Sequence, residues 1–197
     1  MLRLPADRAA PGLLGCLLVA GEVTLRLTEV EAYAGLGADP ASHAHRGRTA
    51  RNAVMFGPAG HAYVYFTYGM HWCLNVVCSV PGDASAVLLR AGEVEAGLEM
   101  ARTRRPRSVD RDLARGPARL TRTLGVERAV DGTYLLDGSG PVRLVAGRPV
   151  GPDRIRSGPR VGVVGGADTA WRYWLVDAEG RQEPTVSTYR PAVTRRR

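Results

Sequence analysis

The chain has 197 residues, 45% of them hydrophobic and 23% charged, which fits one globular domain and excludes disordered, collagenous and membrane-spanning classes. Its 27 basic residues against 19 acidic ones give a net charge of +8, and all 27 are arginine. The absence of lysine excludes chemistry that needs a side-chain amine: the lysine of a phosphate-binding P-loop, a pyridoxal-phosphate Schiff base, and lysine-based lyase chemistry on sugars.

After Pro11-Gly12, residues 13–20 read as a short buried element, the end of a helix leading into a strand. The Leu13-Leu14-Gly15-Cys16 run imitates a secretory or lipoprotein signal. It falls short of the ~7–15 apolar residues a signal needs, and no run reaches the ~18 of a membrane span. Cys16, Cys73 and Cys78 are sparse and odd in number, which points to a reducing compartment without disulfides. A soluble, cytoplasmic protein is expected.

From Val23 the pattern VTLRLTEVEAY alternates with period two and places Val23, Leu25, Leu27, Glu29, Glu31 and Tyr33 on one face of a regular strand. Carboxylates continuing a core-facing row are costly to desolvate. They mark either a strand end emerging into water or a general base at a pocket mouth, with Tyr33 beside it. Residues 34–60, rich in Gly, Ala, Pro, Asp and His, read as a long loop with at most one helical turn, and such loops are usually functional. His43, His45 and His61 lie in this stretch or at its end. They lack metal-ligand spacing, no CxxC exists, and Cys73 and Cys78 would point to opposite faces of one strand, so no metal site is expected.

HAYVYFTYGMHWCLNVVCSV reads as a β-hairpin. Tyr63 and Tyr65 share one face and Val64 and Phe66 the other; Thr67-Tyr68-Gly69-Met70 supplies the turn, and Trp72, Leu74 and Val76 form the core-facing return. Tyr68 falls at the tip, where small polar residues are the norm. It fits either a wedge inserted between stacked bases or a tip folded back onto a neighbouring loop. Asn75, in an otherwise apolar strand, has to satisfy its amide internally or line a pocket.

Residues 86–89 form an apolar strand ending at Arg90, read as a surface charge or a site residue, and a helix is predicted from about Glu93 to Arg102. Residues 102–128 hold nine arginines against Asp110, Asp112 and Glu127. Such a run is either a solvated face or a polyanion-binding one, since arginine forks match phosphate oxygens; codon bias is a competing source of the all-arginine usage. Within it, Pro117 suits a first helical position and Gly125 a helix stop. Residues 134–186 alternate short strands with Gly and Pro turns, including VRLVAGRPV, PRVGVV and WRYWLV. The tail, about 190–197, is arginine-rich. No internal repeat and no second domain boundary is visible.

Taken in order, TEVEAY, a His-containing loop with RTARN, YVYFTYGMHWCLN, VLLRAGE, ARGPARL and PRVGV resemble the alkyladenine (3-methyladenine) DNA glycosylase family, over about Leu13 to Val176. The resemblance implies a single mixed α/β domain with helices flanking a curved antiparallel β-sheet and a protruding β-hairpin that enters the minor groove. It implies a monofunctional, monomeric enzyme without cofactor or membrane partner. Such an enzyme flips alkylated or deaminated purines (3-methyladenine, 7-methylguanine, hypoxanthine, ethenoadenine) from double-stranded DNA and hydrolyses the N-glycosidic bond in base excision repair.

On the matching positions, the resemblance makes Glu31 the general base and Arg90 a residue that helps hold the attacking water, with the main-chain carbonyl of Val161 as another contact. Tyr68 matches the intercalating wedge. Tyr33, His43 and Tyr65 match the sandwich around the base, with His45 as the alternative histidine, and Asn75 matches the residue that excludes the exocyclic amine of guanine. A carboxylate beside the sugar also stabilises the oxocarbenium-like charge of purine departure, and cation–π stacking between tyrosines would favour a charged base. The competing reading is a noncatalytic damaged-DNA or structured-RNA binding module of the same fold, against which the presence of both Glu31 and Arg90 argues.

Overall fold

The structure, a computed structural model, describes residues 1–190. The strands are β1 (Leu17–Ala20), β2 (Val23–Tyr33), β3 (Ala62–Thr67), β4 (His71–Cys78), β5 (Ser85–Ala96), β6 (Arg143–Val145), β7 (Ile155–Gly158) and β8 (Arg172–Leu175). The helices are α1 (Ala6–Ala9), α2 (Leu98–Arg104) and α3 (Pro117–Leu124). Every strand pairing is antiparallel, in the order β3-β4-β5-β2-β1-β6, with β8 added to β2 and β7 to β8. β2 is the spine: β5 lines one edge along its length, while the other edge is shared by β1 near its start and by β8 from Glu29 to Glu31. The sheet curls into a half-barrel in a single mixed α/β domain. Its core joins Leu25, Leu27, Leu74 and Leu89 to Leu120 and Leu124 of α3.

The single-face reading of Val23 to Tyr33 does not hold, because the ladder between β2 and β5 shifts register three times, twice in bulges beside Glu29. Thr28 is the extra residue between the pairs Leu27↔Gly92 and Glu29↔Ala91, and Arg90 is the extra residue of β5 before Val30↔Leu89. The bulge at Thr28 inverts the alternation. Leu27, Val30 and Ala32 therefore pack into the core, and Glu29, Glu31 and Tyr33 turn to the other side.

The helix expected from Glu93 is also corrected. β5 runs on to Ala96, where Glu93 and Glu95 meet Arg26 across the ladder at 2.7 and 3.6 Å. α2 starts only at Leu98, after Gly97 in the left-handed conformation (φ 73°), packed so closely on the Glu22 carbonyl that a Cβ would not fit. PRVGVV forms no strand; β7 lies before it instead. Pro11-Gly12 sits inside a 3-10 turn, Ala10–Leu13, rather than breaking the chain ahead of it.

Elsewhere the local reading holds. α3 begins at Pro117 and stops at Gly125 (φ 70°), and the long loop contains one 3-10 turn, Ala53–Phe56. The hairpin pairs Ala62↔Val76 through Thr67↔His71 and turns through Tyr68, Gly69 and Met70. Tyr68 is 85% exposed with φ 51°, so the tip is not folded back onto a neighbouring loop. Among the described residues no helix is long and apolar enough to cross a membrane. The arginine-rich tail, beyond residue 190, lies outside the described residues.

Candidate active site

The two bulges place three charged side chains side by side beneath a pocket. Glu31 Oε1 accepts a hydrogen bond from the Val161 amide at 2.6 Å, and Oε2 accepts from the Tyr33 hydroxyl at 3.0 Å and Arg90 Nη1 at 3.1 Å. Arg90 Nε donates at 2.9 Å to Glu29 Oε1, which also receives Arg172 Nε at 2.6 Å and the Ser187 hydroxyl at 2.8 Å. Glu29 Oε2 accepts the Ser187 amide at 2.6 Å. Glu29, Glu31 and Arg90 are all buried.

Burial alone would raise the Glu29 carboxyl, but Arg90, Arg172 and the Ser187 donors outweigh it and hold it below the ordinary glutamate value. Burial works against the Arg90 charge, yet Glu31 and Glu29 push its guanidinium above the usual range. Tyr33 stays a donor: burial, Glu31 and Tyr65 raise it well above the ordinary phenol value.

Above this floor lies a cleft of about 300 Å³ whose lining includes Tyr33, His43, Tyr65, Asn75, Arg90 and Val161, with Tyr68 at its edge. All the residues singled out from the sequence thus come together, Glu31 lying just beneath the lining. His43, not His45, borders the cleft. Its ring meets Tyr65 edge-on at 4.6 Å and its Nδ1 lies 2.9 Å from the Tyr63 hydroxyl; burial first, then Arg51, lower its basicity. Asn75 resolves both readings at once, since it faces the cleft while its amide donates to the Tyr63 carbonyl at 2.9 Å. Val161 touches Glu31 through its amide; the carbonyl singled out from the sequence is a separate group.

Sequence reasoning missed the supports. Arg160, fully buried, grips Asp39 at 2.6 and 2.8 Å and lies 4.7 Å from the centre of the Tyr33 ring. Arg51 lies 5.5 Å from the centre of Tyr65. Both aromatic walls already carry a protein cation, which takes up part of the cation–π attraction expected for a charged base. Tyr63, Arg172 and Ser187 were missed as well. Tyr63 was visible only as a strand neighbour of Tyr65, and no local pattern marks Arg172 or Ser187, because their shared partner Glu29 lies far along the chain. Among the described residues, no three His, Cys, Asp or Glu side chains gather to hold a metal ion.

The basic run divides in two. Arg102 is neutralised by Glu99 and Asp110 at 2.6 and 2.8 Å, a solvated face. Arg104, Arg105, Arg119 and Arg122 instead line a groove of about 850 Å³ with Met70, and this groove meets the cleft at His71 and Ala118. Burial first, then the charges of Arg119 and Arg122, lower Arg105, with Asp112 acting in the opposite direction.

The chain matches the model of the family described as Methylpurine-DNA glycosylase over residues 1–179. Three similar bacterial proteins carry the name "Putative 3-methyladenine DNA glycosylase". That of Streptomyces avermitilis is 55% identical, over 98% of this chain and 91% of its own length. That of Frankia casuarinae is 53% identical, over 95% and 90%. That of Nocardia farcinica is 52% identical, over 92% and 86%.

Proposed function

Since the chain belongs to the methylpurine-DNA glycosylase family, we propose that it is a monofunctional enzyme. Acting as a monomer on double-stranded DNA, it flips an alkylated or deaminated purine into the cleft and hydrolyses its N-glycosidic bond, a first step of base excision repair. The observation that carries this reading is the hydrogen-bond count at Glu31. An ionised carboxylate offers about four acceptor sites. Tyr33 and Arg90 fill Oε2, and the Val161 amide takes only one site on Oε1.

The remaining site on Oε1 is where a water can give up its proton. Glu31 then acts as general base, its charge also stabilising the oxocarbenium-like sugar as the purine departs. Arg90 and Tyr33 fix the carboxylate's orientation, so little reorganisation is needed when the bond breaks. Glu29 already accepts four bonds, three on Oε1 and one on Oε2, against three at Glu31; it pairs with both Arg90 and Arg172 and anchors rather than catalyses.

Tyr33, Tyr65 and His43 hold the flipped base, and Asn75 stands where the exocyclic amine of guanine would intrude. Tyr68, exposed at the hairpin tip, fills the gap left in the stack and offsets part of the few kcal/mol that flipping costs. With no lysine in the chain, no side-chain amine is present for Schiff-base lyase chemistry. The test is base release from duplexes carrying hypoxanthine, 7-methylguanine or 1,N6-ethenoadenine, followed by alkaline cleavage at abasic sites. Release from at least one is expected. Binding without release from any would favour the noncatalytic module.

A further inference from the structure

The match to the family ends at residue 179, yet the charges beneath the cleft are sealed by residues that follow. Ser187 gives Glu29 both its amide and its hydroxyl, at 2.6 and 2.8 Å, and its carbonyl accepts Arg172 Nη2 at 2.7 Å. Arg90 Nη2 approaches the same hydroxyl at 3.4 Å. The segment around it is fastened by its own Gln182 and by side chains from distant parts of the chain. Arg115 donates to the Val186 carbonyl at 2.9 Å and to the Thr188 hydroxyl at 3.2 Å. Gln182 donates to the Val186 carbonyl at 3.1 Å, and Thr185 bonds Thr28, the bulged residue of β2, at 3.1 Å.

We propose that the segment 182–188 is a strap integral to the active site, and that Ser187 is a positioning residue which, through Glu29, fixes how Arg90 presents Nη1 to Glu31. This rests on the glycosylase reading. The bulge makes Arg90 the unpaired residue of its ladder, so its direction depends on what its guanidinium grips. Nε is taken by Glu29, Nη1 by Glu31, and Nη2 faces Ser187. Glu29 can hold Nε in one place only if its own carboxylate is held, and half of the bonds that hold it come from Ser187. The hydroxyl of Ser187 meets both members of the pair. An alanine there deletes those contacts while leaving the amide bond to Glu29 Oε2 and the strap itself in place.

The test is Ser187→Ala in the full chain, alone and combined with Arg90→Lys. It is measured as the single-turnover excision rate at saturating enzyme, the Kd for the same lesion duplex, and the urea midpoint that shows each variant to be folded. Expected is a fall of about tenfold in rate with Kd unchanged, and no further fall when Ser187→Ala is added to Arg90→Lys, because the serine acts through that arginine. Excision by Ser187→Ala at the wild-type rate would overturn the proposal, as would the same tenfold loss repeated in the Arg90→Lys background. A wild-type protein that releases no base overturns the glycosylase reading itself, and is told apart by that control.

Discussion

Replacing Glu29 by glutamine removes one charge from a buried cluster in which two guanidiniums depend on it. In the folded protein Arg90 Nε and Arg172 Nε both point at Oε1, with Ser187 supplying two more donors. After the change Arg90 keeps the charge of Glu31, but Arg172 is left with neutral acceptors alone, the amide oxygen at position 29 and the Ser187 carbonyl, and an amide nitrogen in the Oε2 position faces the Ser187 amide, itself a donor. Breaking a buried pair in this way costs about 3–5 kcal/mol, a large part of the roughly 5–15 kcal/mol that holds a domain together.

The cost should depend on pH with a definite sign. Because the folded-state value of Glu29 is depressed, its contribution is fully present above the ordinary glutamate value of 4.5 and is lost as pH falls through the lower folded value. Urea unfolding of both proteins, at neutral pH and again below 4.5, measures this. The variant should be less stable by several kcal/mol at neutral pH, and the gap should narrow in acid. A neutral-pH cost below about 1 kcal/mol, the range of an exposed ion pair, or a gap that does not change with pH, would refute the reasoning.

Two other perturbations address the hairpin tip and the arginine-lined groove beside it. Tyr68→Ser should leave stability unchanged, since the ring is 85% exposed; it should lower turnover on duplex substrates about tenfold or more, as expected from ~1–3 kcal/mol of lost base–aromatic stacking. An unchanged rate on duplex would contradict the wedge role. Arg119→Ala with Arg122→Ala should weaken binding to damaged and undamaged duplexes alike and reduce the slope of log K against log salt by roughly 1–2. An unchanged slope would show that the groove beside the hairpin carries no phosphate.

What the sequence disclosed follows from the range of the interactions involved. The hairpin was legible because alternating tyrosines and a Gly-containing turn are local signals, and α3 because Pro117 and Gly125 punctuate it. The bulge at Thr28 was not, since one inserted residue leaves no compositional trace while reversing the face of every residue after it. The end of β5, Glu93 to Ala96, read as helix because its pairing partner Arg26 lies more than sixty residues away. The same distance hid Asp39 with Arg160 and Glu29 with Ser187, which meet only after the half-barrel closes. The side chains that gather around the cleft were therefore visible as candidates, while the buried bonds that hold them were not.

The central claim is that Glu31, through its free acceptor site, activates the water that releases the base. Glu31→Gln is nearly the same size and can still accept from the Val161 amide, so it separates binding from chemistry. The measurement is single-turnover release of hypoxanthine from a duplex, with the variant's Kd for that duplex determined alongside. The account predicts wild-type affinity and a rate lower by about a hundredfold or more, the range of general-base catalysis. A Glu31→Gln protein that releases the base at the wild-type rate would contradict it.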